Sequence, residues 1–222
     1  MSKKNISKEK IVQSFLTCAF EKSAGATSLA DISEILEIKK ASLYNHFESR
    51  DDMYDSTLTY CKVEMEDINF LPEKTLETIS SGKITVPALF KRLITRFFNL
   101  YENEPLFAMY TFISSEKYFN VQAMETFNKL SEKLSGEIKV ILGAFAEIGK
   151  ITVKSDKDLK DQAALVTALI LQQLDSYITN RKETVRQNPD CSAGSLFALP
   201  TDDAAVTKAV KMVELLLKPV QA

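Results

Sequence analysis

Tryptophan is absent from the 222 residues, histidine occurs once, and there are only three cysteines, six glycines and six prolines. With His46 as the lone histidine, no Ser-His-acid or Cys-His set can be assembled with any spacing signal, so nucleophilic catalysis has no framework here. No catalytic residues, cofactor or metal ion are expected. Cys18, Cys61 and Cys191 lie far apart without metal-ligand spacing. An odd, sparse count fits a reducing cytosol better than a disulfide framework. Few Gly and Pro, and no alternating β-branched runs, leave an all-α chain as the expectation. The longest apolar run, Ala163 to Leu171, is interrupted by Thr167 and is far too short to span a bilayer. The N-terminal MSKKNISKEK lacks the apolar core of a signal peptide. A soluble, cytoplasmic protein without a membrane partner is expected. Net charge is −2, so bulk charge does not announce a nucleic-acid binder. Residues 1–50 nevertheless carry eight basic against six acidic side chains.

What is present is a 45% hydrophobic composition, enough for a substantial core in one or two domains, and one stretch with a distinctive pattern. Ser28 to Phe47, SLADISEILEIKKASLYNHF, reads as two short helices joined by a tight turn. Ser28 can cap the first helix, with Asp31 reaching back to it. Leu29, Ile32, Ser33 and Leu36 then share a face. Glu37-Ile38-Lys39 breaks the period, and a second helix, Lys40 to His46, carries Leu43 and Phe47 inward. Helices this short need a third behind them, supplied by Ile6 to about Lys22 through Ile11, Phe15, Cys18 and Ala19. The arrangement is a helix-turn-helix, whose second helix is shaped to enter a DNA major groove.

Leu43-Tyr44-Asn45-His46-Phe47, with Asp31-Ile32-Ser33 before it and Arg50 three residues after, resembles the signature of TetR-type transcriptional repressors. The resemblance is close over Ile11 to Leu58 and architectural beyond. Glu37, Lys39 and Ala41 stand where the family usually has Gly, Ser and Gly. A left-handed residue at Glu37 would cost about 1 kcal/mol. The resemblance implies a DNA-binding head (1–48) and a ligand-binding and dimerisation body (49–222). It further implies a homodimer paired through the last two long helices and bound to a palindromic double-stranded DNA operator. Tyr44 and His46 are expected near phosphate. Lys39 and Lys40, at the start of the second helix, are candidates for phosphate or base contact. Ala41, Ser42 and Asn45 are placed on the groove side, and Ser28 and Arg50 complete the candidate DNA contacts.

Beyond the head, Ser49 can cap a long helix with Tyr54, Leu58, Cys61, Met65 and Ile68 as its stripe. A helix opened by Pro87 runs to about Asn103 through Phe90, Leu93, Ile94, Phe97 and Tyr101. Further helices are expected at Leu106–Ser115, Gln122–Phe145, from Asp156 or Asp158 to Arg181, and at Asp202–Lys218, with Thr184 to Pro200 as a connection. Between Phe90 and Phe119 aromatics concentrate, including Phe107, Tyr110, Tyr118 and Phe119. Core packing explains any one of them. Collectively they suggest a pocket for a small apolar ligand, with Phe97, Tyr101, Phe107, Tyr110 and Phe127 as candidate lining. Two functions stay open: a ligand-responsive repressor, or an all-α enzyme or ligand-binding protein that does not touch DNA.

Overall fold

The computed structural model describes residues 6–188 and 202–217. Cys191, Lys218, Lys3 and Lys4 lie outside the described residues, as does most of the expected 184–200 connection. Among the described residues the secondary structure is helical throughout. The helices are α1 (Lys8–Lys22), α2 (Leu29–Ile35), a 3-10 helix (Lys40–Asn45), α3 (Arg50–Glu66), α4 (Thr75–Ser80) and α5 (Val86–Glu102). They continue with α6 (Leu106–Glu116), α7 (Val121–Glu147), α8 (Asp156–Gln187) and α9 (Asp203–Leu217).

The starts of these helices follow from side-chain oxygens that take the orphan N–H groups of a first turn. Ser28, Ser49, Thr85 and Ser155 each accept a backbone N–H three residues on. Asp52 in turn accepts the N–H of Glu48, the residue before the Ser49 cap, at 3.0 Å. Pro87 sits in the first turn of α5, where its missing N–H costs nothing. Two boundaries differ from expectation. α4 follows Pro72 and is too short to show a period, and α8 continues beyond Arg181 to Gln187, closed by the Asn188 N–H on Thr184 and Val185 carbonyls.

The chain divides into two compact units. The first holds residues 1–68 and 104–128, and the second holds 69–103 and 129–222. In the first, α1 packs on α2, α3 and α6. Its expected face of Ile11, Phe15, Cys18 and Ala19 is buried, and so are Val12, Leu16 and Phe20. A helix covered on several sides needs apolar residues on several sides. Phe15 meets Tyr54 and Phe112 edge-on, with centroids 6.3 and 6.2 Å away, and Phe20 meets Phe107 at 4.9 Å. The Tyr54 hydroxyl donates to Glu116 at 2.7 Å, tying α3 to α6. Met53, outside the expected stripe of α3, is fully buried. Burial pushes the Cys61 and Cys18 thiols up, and for Cys18 the nearby Asp31 adds to the effect.

In the second unit α5 packs against α8 and α9. Phe90, Leu93, Ile94, Phe97 and Tyr101 are all buried, together with Leu89 and Phe98. At the end of α5 the Glu102 carboxylate receives the Tyr177 hydroxyl and pairs with the Arg181 guanidinium, both from α8. Lys139 of α7 pairs with Asp156 at the start of α8, 2.7 Å apart. Along α9, Val206, Ala209, Val210, Val213 and Leu217 face inward. Val213 and Leu217 are thus covered within their own unit. Leu215 and Leu216 are the exposed residues at that end.

Candidate nucleic-acid interface

Ser28 accepts the Asp31 N–H, while the Asp31 carboxylate takes the Ser28 N–H at 2.8 Å and its hydroxyl at 2.7 Å. This is the expected capping box, and it is reinforced by Lys22 at 2.6 Å from Asp31. The Lys22 ammonium, followed by the Ser28 groups, holds the Asp31 carboxyl down at about 2. The Ser28 hydroxyl, expected as a DNA contact, is therefore engaged within the head.

α2 ends in a Schellman arrangement. The Ile38 N–H bonds the Ser33 carbonyl at 3.0 Å and the Glu37 N–H bonds Glu34 at 3.0 Å. Glu37 stands between them at φ +55°. This is the left-handed position that glycine usually fills, since a Cβ there meets the following carbonyl. The turn is made, and the strain is local.

The turn delivers Lys39 in extended backbone, and the next six residues coil as a 3-10 helix rather than an α-helix. Three residues per turn puts Leu43 at the buried position, with Phe47 behind it. Lys39, Lys40, Ala41, Tyr44 and Asn45 are exposed, and Ser42 and His46 are half-buried. Tyr44, at 52% exposure, is one of the large apolar-bodied side chains the fold leaves in solvent. The outward row thus brings together two ammonium groups, a phenol, an amide, a hydroxyl and a methyl. Such a row can bind phosphate through its cations and hydroxyls and read base edges through Asn45 and Ala41.

Arg50 departs from expectation. Its Nε donates to the Thr27 carbonyl at 2.8 Å and its Nη2 to the Ala24 carbonyl. Its guanidinium carbon lies 5.6 Å from the Phe15 ring centroid. It therefore stitches the α1–α2 loop to the start of α3, with Nη1 3.5 Å from the Asp51 carboxylate. The residues that sequence reasoning missed here are Lys22, partner of Asp31, and Lys8, whose ammonium stands 5.2 Å from the Phe47 centroid. A Lys and an Asp in adjoining helices carry no spacing signal for their pairing.

The five candidate pocket residues fall into different units. Phe97 and Tyr101 belong to the second, their rings 5.1 Å apart, and Phe97 also meets Phe70 edge-on at 5.2 Å. Phe107, Tyr110 and Phe127 belong to the first. Phe127 is half-buried under the Lys117 ammonium, 3.7 Å from its centroid. Phe97, Tyr101, Phe107 and Tyr110 are at most 3% exposed. Tyr118 and Phe119, counted with the aromatic cluster in sequence, are instead exposed at 77% and 86%. Among the described residues, no group of three His, Cys, Asp or Glu could hold a metal ion. No described helix is long and apolar enough to cross a membrane.

No protein-family model matches the sequence. The chain is 28% identical over 132 residues to IcaR of Staphylococcus aureus, the HTH-type negative transcriptional regulator of the biofilm operon icaADBC. The match covers 59% of this chain and 67% of IcaR. The fold matches a chain of Mesorhizobium loti assigned to the TetR family of transcriptional regulators, with TM-score 0.58, 15% identity and 95% of each chain covered. It also matches a TetR transcription regulator of Haloarcula marismortui, with TM-score 0.55, 13% identity, and 95% of this chain and 96% of that one covered. The chain thus shares the all-α fold of these solved TetR-type regulators and is similar in sequence to a negative transcriptional regulator over 59% of its length.

Proposed function

We propose that this regulator is a repressor that binds a palindromic operator as a homodimer and is released by a small apolar ligand. The observation that carries the reading is the outward row Lys39, Lys40, Ala41, Ser42, Tyr44, Asn45 and His46, mounted on a buried Leu43 and Phe47. Exposed cations beside an exposed tyrosine have no use in the enzyme reading and suit a groove lined by phosphates. The similarity to IcaR, a negative regulator by name, favours repression over activation.

Dimerisation through α8 and α9 is supported by what these helices leave outside. On α8, Ala164 and Ala168 are exposed, and Leu165 is exposed at 57%; on α9 Leu215 is exposed at 77%. Small residues one turn apart permit close helix approach, and the leucines supply area. The ligand reading rests on the aromatic core. A ligand that enters either set of buried rings by displacing one of them would make binding and conformational change a single event.

The test is selection of a binding duplex from random-sequence DNA with the full chain, followed by gel shift with Lys39→Ala/Tyr44→Ala. Each lost phosphate or base contact is worth about 1–3 kcal/mol, so the double variant should lose binding while keeping its helicity and sedimentation. An unchanged shift would sink the assignment. Leu165→Glu/Leu215→Glu should yield monomers in analytical ultracentrifugation if the seam is drawn correctly.

A further inference from the structure

Three helices of the second unit meet at one buried polar cluster. Tyr177 of α8 is 2% exposed, its ring 4.9 Å from that of Phe98 on α5. Its hydroxyl donates to Glu102, the last residue of α5, and accepts the backbone N–H of Asp202, the residue before α9. Glu102 is held in turn by the guanidinium of Arg181, one turn further along α8 and itself buried. The Asp202 carboxylate takes the Ala204 and Ala205 N–H groups at 3.1 Å each. The residue that Tyr177 holds is therefore also the one that caps α9. The inward face of α9 is Val206, Ala209, Val210, Val213 and Leu217. Such a face decides which side of the helix is buried, but aliphatic contact is non-directional and similar side chains recur at each turn. A hydrogen bond has one geometry, and a polar group held among apolar neighbours is a device for fixing register.

We propose that Tyr177, with Glu102 and Arg181 behind it, is a positioning residue that sets the register of α9 on α5 and α8. Register decides which residues α9 presents to the outside. Ala164, Leu165 and Ala168 of α8 are exposed, as are Leu215 and Leu216 of α9. A slip of one residue turns a helix by about 100°, enough to carry Leu215 off the side it occupies and to turn a buried valine outward. The inference rests on the reading of these exposed residues as a homodimer seam, and adds to it the side chains that hold one half of that seam in shape. Arg181 acts at one remove, by keeping the Glu102 carboxylate where the Tyr177 hydroxyl meets it.

The experiment compares Tyr177→Phe and Glu102→Gln in the full chain with Ile141→Val, which trims the buried core on α7, outside the cluster. Tyr177→Phe keeps the ring against Phe98 and removes only the hydroxyl, whereas Glu102→Gln leaves that hydroxyl an acceptor. Sedimentation equilibrium over a concentration series gives the dimer dissociation constant. Amide exchange at Asp202 and along α9 and the melting temperature are measured alongside. Tyr177→Phe should speed exchange at Asp202 and raise the dissociation constant about tenfold, a typical coupling between positions. Glu102→Gln should fall between it and the wild type in both readouts. Ile141→Val should lower the melting temperature and leave the dissociation constant within about twofold. A Tyr177→Phe chain that exchanges faster at Asp202 yet pairs as tightly as the wild type overturns the proposal, as does an equal weakening in Ile141→Val. Should Tyr177→Phe fail to fold, Asp202→Pro, which removes the N–H itself, carries the same comparison against Asp202→Ala, which removes only the cap. If the wild type sediments as a monomer, or Leu165→Glu/Leu215→Glu leaves the dimer intact, the seam reading falls and this inference with it. A dimer broken by that double variant and untouched by Tyr177→Phe sinks this inference alone.

Discussion

In the first unit the side chains proposed to meet DNA stand outside a small core; in the second the comparable concentration of aromatics lies inside one. Lys39, Lys40, Tyr44 and Asn45 are exposed over Leu43 and Phe47, whereas Phe97 and Tyr101 are wrapped by Phe70, α8 and α9. The contrast separates two ways in which a sequence encodes binding. A surface site is a deviation from the pattern that folding requires, so it shows up as polar and aromatic residues between the core positions. A site inside a core obeys that pattern, and nothing distinguishes a ring that packs from a ring that yields.

The difference predicts opposite stability costs. Phe97→Ala should cost about 3–5 kcal/mol, the usual cost of deleting a buried ring, whereas Tyr44→Ala should leave the melting temperature unchanged. Thermal unfolding by circular dichroism measures both, and equal losses would erase the contrast. Next in size, Arg50→Ala should destabilise the first unit by about 2 kcal/mol, since two carbonyls lose a charged donor. Hydrogen exchange should show the effect at the α1–α2 loop and the start of α3, with the second unit unchanged. A loss of duplex binding without any change in exchange would return Arg50 to the DNA surface.

Glu37→Gly should stabilise the head by about 1 kcal/mol, because only glycine occupies φ > 0 without strain. Chemical denaturation would register this, and a destabilised variant would mean that the Glu37 side chain has a use beyond the turn. The smallest effect concerns acid. The Asp31 carboxyl is held at about 2, below its ordinary value near 4. A depressed carboxyl contributes stability above its unfolded value and loses it as pH falls through the folded one. Between about pH 4 and 2 the helix-turn-helix should therefore loosen, and Asp31→Asn should flatten that dependence in an exchange-versus-pH series.

How much of this was legible in the sequence depends on the reach of each interaction. The capping box at Ser28, the cap at Ser49, the inward Leu43 and Phe47 and the strained Glu37 are all set within a few residues. Spacing rules read them correctly. The Arg50 contacts were not legible because its acceptors are carbonyls 23 and 26 residues away, which no local pattern marks. Val213 and Leu217 share the inward face of α9. Periodicity says which residues travel together, and says nothing about which element covers them. Tyr118 and Phe119 show the converse, two rings that composition assigned to a core and the fold leaves in solvent.

The discontinuity of the first unit has a consequence for its birth on the ribosome. Phe15 and Phe20 of α1 are covered in part by Phe112 and Phe107, which emerge some 90 residues later. During synthesis at about 5–20 residues per second, the helix-turn-helix would be complete for several seconds while that side of α1 still waited for α6. A nascent chain paused after Ile68 should therefore present an apolar flank to chaperones, and one paused beyond Asn128 should not.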